Sequence, residues 1–284
     1  MNLAVANAQT ATKDLSFDLL RRIRVAPPYF NLENMSLAGE RLYASAVAQT
    51  RIENERGPMA AAEIGRHAAI AGSCLIAALQ NDDRPRYYLA QEAVCTYLPS
   101  DAPFGTLVQF EVSEPDISKR KARVSIRAHI DNVDIAHLSV SYTVLTEATF
   151  GRLFGAHKKH AAPVLRSSYP IKTRGLQPGG NSAQQLLLIQ AEDCAGHFPD
   201  YPALPVAVLM GQLSYLAGTL LDRPYRVTRG NVSARDLCWA GELVTFSAQE
   251  IADDCEPHER ALLCRASVDG VTKGEMRLWL TTEL

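Results

Sequence analysis

The fold is decided by the stretch at residues 197–205, which reads His197-Phe198-Pro199-Asp200-Tyr201-Pro202-Ala203-Leu204-Pro205. Its three prolines exclude a regular helix or strand and stiffen the segment after the histidine. An apolar run follows at residues 206–218 (VAVLMGQLSYLAG) and predicts a helix whose first turn comes directly after Pro205. We therefore expect a histidine on a rigid loop that leads into the N-terminus of a buried helix. Unpaired N–H groups there would favour a carbonyl oxygen that becomes negative.

The composition is that of a globular protein with a large core. The chain has 284 residues, of which 47% are hydrophobic and 21% charged, a balance typical of folded domains. This length suits one large domain or two of ordinary size. The net charge of −2 gives no reason to expect nucleic acid or an anionic membrane as a partner.

The sequence favours a cytoplasmic location. No apolar run reaches the roughly 18 residues of a membrane-spanning helix. Residues 1–12 lack the basic start and apolar block of a signal peptide. The 6 cysteines are scattered without a CxxC pair, mostly among apolar neighbours, which favours reduced cysteines in a core over a disulfide framework.

A second helix is predicted earlier in the chain, at residues 59–79. Gly57-Pro58 precedes this run of strong helix formers, and a polar segment that ends in Pro85 follows it. The run is rich in alanine and glycine, so a strand surface could approach it closely. Because it is apolar on most faces, we expect a sheet to wrap around it.

Strand-like segments surround the two helices in the same order. Residues 1–15 form a loose polar lead, residues 16–56 predict one or two strands, and residues 146–165 predict a connector. The other strands are predicted at 87–97, 107–112, 122–130, 133–145, 184–190, 225–239, 243–251, 260–268 and 271–281.

The two halves also share local sequence. Residues 65–72 (GRHAAIAG) align with residues 211–218 (GQLSYLAG), with glycine matching glycine at both ends. The hairpin turns at Asp131-Asn132 and Asp269-Gly270 recur at nearly the same offset. One such match could be chance, but the shared order of elements favours a tandem duplication.

A sheet around one long buried helix, present twice, resembles the hotdog fold in its double form. The HFP motif at residue 197, the prolines that follow and the apolar helix resemble the 3-hydroxyacyl-[acyl carrier protein] dehydratase family. The resemblance covers residues 165–284 in sequence and residues 25–145 only in layout. It implies an α+β double hotdog, with two antiparallel sheets, each wrapped round a long central helix, joined into one continuous sheet. The predicted parts are a hotdog at 16–146, a linker at 147–165 and a hotdog at 166–284.

The resemblance also implies a catalytic pair. In that family a histidine of one hotdog works with a carboxylate on the helix of the other, fourteen residues after the histidine in sequence. The position fourteen residues after His197 is Gly211, so the second half has the base and lacks the acid. The first half has no histidine at its loop, but aligning Gly57-Pro58 with the family's Pro-Gly places Glu63 at the carboxylate position. One complete site, His197 with Glu63, would remain.

The position of Glu63 is open to a second interpretation. The glycine-to-glycine alignment places Gly65, not Glu63, opposite Gly211, and two residues are enough to turn a side chain off a helix face. In that case Glu63 would simply pair with Arg66 or His67 one turn on. We favour the catalytic interpretation because the presence of a lone carboxylate in a helix of small residues needs an explanation, and catalysis would provide one.

Further residues are expected to line the substrate site. In the family pattern these are the backbone N–H of Val206, with Pro205, Gly211, His67, Phe198 and Asp200 beside it. Asp200 and Val206 stand where the family usually has glycine, and Asp200 adds a charge that the usual substrate would meet. His67 lies on the same helix face as Glu63 and is expected to line the site or support it.

These residues predict a dehydratase that eliminates water from a 3-hydroxyacyl thioester in fatty-acid-like or polyketide biosynthesis. His197, with an ordinary pKa of about 6.5, would take a proton from C2. Glu63, its pKa raised by burial, would donate a proton to the departing hydroxyl. No cofactor or metal is expected, since no motif for either is present. The alternatives are a hotdog acyl thioesterase, in which Glu63 activates water, and a non-catalytic acyl-binding protein.

The partner is expected to be an acyl carrier protein or a CoA thioester. The basic run at residues 118–123 could bind an acidic carrier surface or phosphate groups, as could Arg84 and Arg86, or it could be an ordinary solvated turn. A double hotdog already contains the pairing that makes single hotdogs dimerise. Both a monomer (a pseudo-dimer) and a homodimer are therefore open.

Overall fold

The computed structural model describes residues 18–159, 168–252 and 255–283, apart from the side chain of Pro178. The predicted polar lead and residues 160–165 of the predicted connector lie outside the described residues. In the first half the elements are β1 Glu33–Ala38, β2 Arg41–Ala46, α1 Ala61–Ala78, β3 Arg86–Tyr97, β4 Val108–Ile117, β5 Lys121–Ile130 and β6 Val133–Thr146. Helix α2 follows at Glu147–Phe154. The remaining elements are β7 Leu176–Gly179, β8 Ser182–Leu188, α3 Val206–Gly218, β9 Arg226–Ala234, β10 Leu243–Ile251, β11 Glu259–Val268 and β12 Val271–Thr281.

The strands form one antiparallel sheet in the order β1-β2-β4-β5-β6-β3-β9-β12-β11-β10-β8-β7. Each strand of the first half has a counterpart in the second half, from β1 and β7 at the two edges to β3 and β9 at the centre. The counterparts follow one another in the same order when the sheet is read inward from either edge. Strands β3 and β9 pair at the centre, from Glu92 opposite Ser233 to Thr96 opposite Arg229, and join the halves. A single large antiparallel sheet with a few helices fits the double hotdog predicted from the sequence.

Helices α1 and α3 are buried along most of their lengths and contact each other. The predicted spans, residues 59–79 and the run after Pro205, match them closely. Two of the repeated glycines have a steric cause: a Cβ on Gly72 would lie 2.3 Å from the Tyr142 hydroxyl oxygen, and one on Gly218 would lie 2.3 Å from that of Tyr225. A larger residue at either position would push a buried tyrosine away from its helix.

The segment between the halves differs from the predicted connector because it contains helix α2. Thr146 caps this helix by accepting a hydrogen bond from the backbone N–H of Thr149. Phe150 is fully buried in an aromatic cluster with Tyr87, Phe198 and Trp239, among others. Helix α2 therefore packs the interdomain segment against the loop that carries His197. The domain boundaries themselves stay a prediction.

Two other differences are smaller. Residues 18–23, before the first strand, are helical, which the alternation in this region does not indicate. Strand β9 ends at Ala234, short of residue 239, because the backbone N–H groups of Arg235 and Asp236 turn to the carbonyl of Lys273. In the described parts of the chain, no helix is long and apolar enough to cross a membrane.

Candidate active site

Two cavities contain the predicted catalytic residues His197 and Glu63. The His197 cavity has a volume of about 250 Å³, and its walls include Tyr29, Ala69, Ser73, His197, Phe198 and Val206. The Glu63 cavity has a volume of about 60 Å³, and its walls include Glu63, Arg66, Tyr169, Lys172, Gly211 and Gln212. Each cavity has walls from both halves, since each contains residues of α1 and of α3.

The loop before α3 fixes the position of His197. A Cβ on Gly196 would lie 2.2 Å from the carbonyl oxygen of Ala26, and the φ of this glycine is +71°, so no other residue fits here without strain. The backbone N–H of Phe198 donates to the carbonyl of Arg24. The segment just before β1 therefore lies directly against the His197 loop and holds it.

The imidazole of His197 is enclosed by two rings. Phe198 stacks on it, with ring centroids 3.8 Å apart, and Tyr29 meets it edge-on at 5.0 Å. Nδ1 lies 3.0 Å from the carbonyl oxygen of Ala203. Because a carbonyl only accepts, Nδ1 carries the proton in the neutral ring, and Nε2 keeps its lone pair. Burial lowers the pKa of His197 to about 4, so the ring is a neutral base near pH 7.

A helix N-terminus borders the same cavity. Helix α3 begins at Val206, with Pro205 as its N-cap, and Val206 lines the His197 cavity. The first backbone N–H groups of a helix have no partner within it and carry partial positive charge. The sequence-predicted arrangement of a histidine beside a helix start is therefore present, and His197 and Val206 line one cavity.

Glu63 has several close partners. Its carboxylate accepts hydrogen bonds from the backbone N–H of Gln49 at 2.8 Å and of Thr50 at 3.1 Å. Arg66 forms an ion pair with it at 2.8 Å, as the alternative interpretation of Glu63 predicts. Burial alone would raise the pKa of the Glu63 carboxyl, but the contacts with His67 and Arg66 outweigh burial and lower it. The expectation of a partly protonated Glu63 is therefore corrected: the group is ionised near pH 7 and has no proton to donate.

His197 and Glu63 line different cavities. The rings of Tyr29 and Tyr169 meet edge-on at 6.2 Å, with Tyr29 beside His197 and Tyr169 in the wall of the Glu63 cavity. The helical register places Glu63 off the predicted carboxylate position. Gly211 is the sixth residue of α3, whereas the sixth residue of α1 is Arg66 and Glu63 is only the third. The described structure thus places the two residues of the predicted pair in the walls of separate cavities.

The remaining predicted residues take several places. Phe198 stacks on His197, Pro205 is the N-cap of α3, and Gly211 lies in the wall of the Glu63 cavity. His67 is fully buried against Phe110, with ring centroids 5.9 Å apart, and burial lowers its pKa to about 4. Asp200 pairs with Arg24 at 3.6 Å, so its charge is partly compensated.

The basic segments that could bind a carrier do not line either cavity. Residues 118–120 form the turn between β4 and β5, and Lys119 and Arg120 are exposed. Arg86 forms an ion pair with Asp82 at 2.8 Å. Within the described ranges, neither the basic run nor Arg84 or Arg86 lines the His197 cavity or the Glu63 cavity.

Sequence reasoning missed Tyr29, which lines the His197 cavity. It lies in a region predicted only as strand, and no motif marks it. Its place depends on how the segment before β1 packs against the loop before α3, a contact between distant parts of the chain. Arg66 was predicted only as a partner of Glu63. In the structure its guanidinium also lies 5.8 Å from the ring centre of Tyr169.

Solved structures share this architecture at low sequence identity. A provisionally assigned oleoyl thioesterase from Lactobacillus plantarum matches with a TM-score of 0.60 and 12% identity, over 88% of this chain and 97% of that one. An acyl-ACP thioesterase from Bacteroides thetaiotaomicron matches with a TM-score of 0.56 and 10% identity, over 85% and 98%. A hot dog fold protein of unknown function from Alicyclobacillus acidocaldarius matches with a TM-score of 0.50 and 10% identity, over 92% and 99%.

No protein-family model matches the chain, and no curated protein sequence matches it. At 9–12% identity the structural matches show the fold but do not identify an activity. The matches cover nearly the full length of each of these proteins and include both halves of the sheet. Together with the sheet order and the buried helices, they show that this chain has the hotdog fold.

Proposed function

We propose that the protein is a dehydratase that removes water from a 3-hydroxyacyl thioester carried by an acyl carrier protein or by CoA. The observation that carries this proposal is the state of His197. Its Nδ1 is committed to the Ala203 carbonyl, its neutral ring keeps a lone pair on Nε2, and it lines a cavity of about 250 Å³ beside the start of α3. A base next to a helix N-terminus suits the removal of a proton α to a carbonyl.

The proposed reaction uses both the imidazole of His197 and the N-terminus of α3. The thioester carbonyl oxygen lies at the N–H groups of the first turn of α3, which stabilise the negative charge that develops on it. Nε2 of His197 takes a proton from C2. The electron pair forms the C2–C3 double bond, the C3–O bond breaks, and the hydroxyl leaves as water once it receives a proton. The product is an enoyl thioester.

The test is mass spectrometry of a 3-hydroxyacyl carrier protein and a 3-hydroxyacyl CoA after incubation with the protein. We expect the acyl chain to lose the mass of one water molecule. In His197→Gln the side-chain amide can still donate to Ala203 but has no imidazole base, so the rate should fall by about 100-fold or more. His258→Ala, at an exposed histidine, is the control. Wild-type turnover in His197→Gln would overturn the assignment of the base.

A thioesterase is the second candidate, favoured by the ionised Glu63 carboxylate in the wall of its own cavity. Such a carboxylate could orient a water molecule for attack on a thioester carbonyl. This candidate predicts release of a free acid, a reaction that needs no 3-hydroxyl group and that Glu63→Gln abolishes. Substrate that stays unchanged in both forms of the assay would instead indicate a non-catalytic acyl-binding protein.

A further inference from the structure

The proposed elimination requires a proton donor for the departing hydroxyl, and Glu63 does not meet this requirement. Several hydroxyl groups of the His197 cavity already donate elsewhere. Ser73 and Tyr142 both donate to the carbonyl of Ala69 at 2.9 Å, and Thr143 donates to the side-chain oxygen of Gln91 at 2.6 Å. Asp236, also in the wall, is paired with Lys273 at 2.5 Å.

Tyr29 lies next to the base. Its ring centre is 5.0 Å from that of His197, at an interplanar angle of 64°, and both rings line the same cavity. Only 7% of the residue is exposed. Packing fixes it on both sides: a Cβ on Gly196 would lie 2.9 Å from its backbone nitrogen, and Tyr169 meets its ring edge-on.

We infer that Tyr29 is the general acid of the proposed reaction, donating its phenolic proton to the 3-hydroxyl group of the substrate as the C3–O bond breaks. This inference rests on the proposed function. The donation converts the hydroxyl to water and leaves a phenolate on Tyr29, while His197 becomes an imidazolium by taking the C2 proton. After the products leave, the imidazolium returns one proton to the phenolate, so both groups end in their starting states.

The electrostatic surroundings suit this role. Burial raises the pKa of Tyr29 to about 12, against the opposing effect of the Arg66 charge. The phenol therefore keeps its proton near pH 7 and is available as a donor. The Arg66 guanidinium and the newly formed imidazolium of His197 are both positive, and both stabilise the phenolate while it exists.

The test compares two leaving groups in Tyr29→Phe, which keeps the ring and its packing but lacks the hydroxyl. The probes are 3-hydroxybutanoyl-pantetheine and 3-fluorobutanoyl-pantetheine. Fluoride can leave without receiving a proton from an acid, whereas the hydroxyl group must receive one in order to leave as water. We expect water elimination to fall by about 100-fold and fluoride elimination to stay at the wild-type rate. Tyr225→Phe is the matched control, because Tyr225 is also a buried tyrosine but lines neither the His197 cavity nor the Glu63 cavity.

Two results would overturn the role of Tyr29: wild-type water elimination in Tyr29→Phe, or an equal loss with both leaving groups, which would indicate a structural effect. Different results would overturn the proposed function itself. If wild-type protein eliminates neither water nor fluoride, the dehydratase assignment falls, and the role of Tyr29 falls with it. If His197→Gln abolishes both eliminations and Tyr29→Phe changes neither, the function stands and the acid lies elsewhere.

Discussion

The His197 cavity and the Glu63 cavity are both lined by residues of α1 and α3, but they differ in their titratable groups and in their volumes. One has a neutral imidazole beside a helix start and a volume of about 250 Å³. The other has an ionised carboxylate paired with Arg66 and a volume of about 60 Å³. Residues 169–172 form part of the wall of the smaller cavity. Two halves with the same strand order thus contain one site suited to proton transfer and one held together by ion pairs.

This difference shows that a carboxylate at a suggestive position can serve structure. Glu63 links α1 to the segment at Gln49 and Thr50 through two backbone hydrogen bonds. It also balances the buried charge of Arg66. His197, by contrast, has one ring nitrogen anchored and the other free to act as a base.

The largest effect on stability is expected from Glu63→Gln. The Glu63 and Arg66 side chains are only 5% and 4% exposed, so removing one charge leaves the other buried without compensation. We expect a loss of about 3 kcal/mol in the free energy of unfolding, measured by urea denaturation, with water elimination retained at a temperature where the variant is folded. Glu40→Gln, at an exposed turn, is the control. Unchanged stability with lost activity would mean that Glu63 is part of the reactive site.

A smaller effect is expected from pH, and it bears on His197 alone. Because burial lowers the pKa of this histidine to about 4, the ring keeps its lone pair as the pH falls through the ordinary histidine pKa of about 6.5. The kcat/KM for water elimination should therefore stay level from about pH 8 to about pH 5 and fall only as the pH approaches 4. A decline centred near pH 6.5 would show that His197 is not in the buried environment described above.

Much of the fold could be predicted from local sequence. Alternating and continuous apolar runs located strands such as β10 and β12 at their observed bounds, and Pro205 located the start of α3. Helix α2 was missed because it is short and sits in a segment of mixed composition, although Thr146 before Glu147 is a typical N-cap.

The site was harder to predict, and the error has a specific cause. Placing Gly57-Pro58 where the dehydratase pattern has Pro-Gly assumes that α1 begins at Pro58. It begins three residues later, at Ala61, whereas α3 begins directly after Pro205. Three residues shift a side chain by about 4.5 Å along a helix, enough to take Glu63 off the position that the dehydratase pattern assigns to the carboxylate. Tyr29 depends on a contact between distant segments, which no local pattern encodes.

The most direct test of the contrast between the cavities is deuterium uptake at C2 of butanoyl-pantetheine in D₂O, followed by mass spectrometry. This substrate has no 3-hydroxyl group, so the exchange reports only on the base. We predict uptake with wild-type protein and with Glu63→Gln, and none above background with His197→Gln. Uptake that survives in His197→Gln and disappears in Glu63→Gln would contradict the assignment of the reactive site to the His197 cavity.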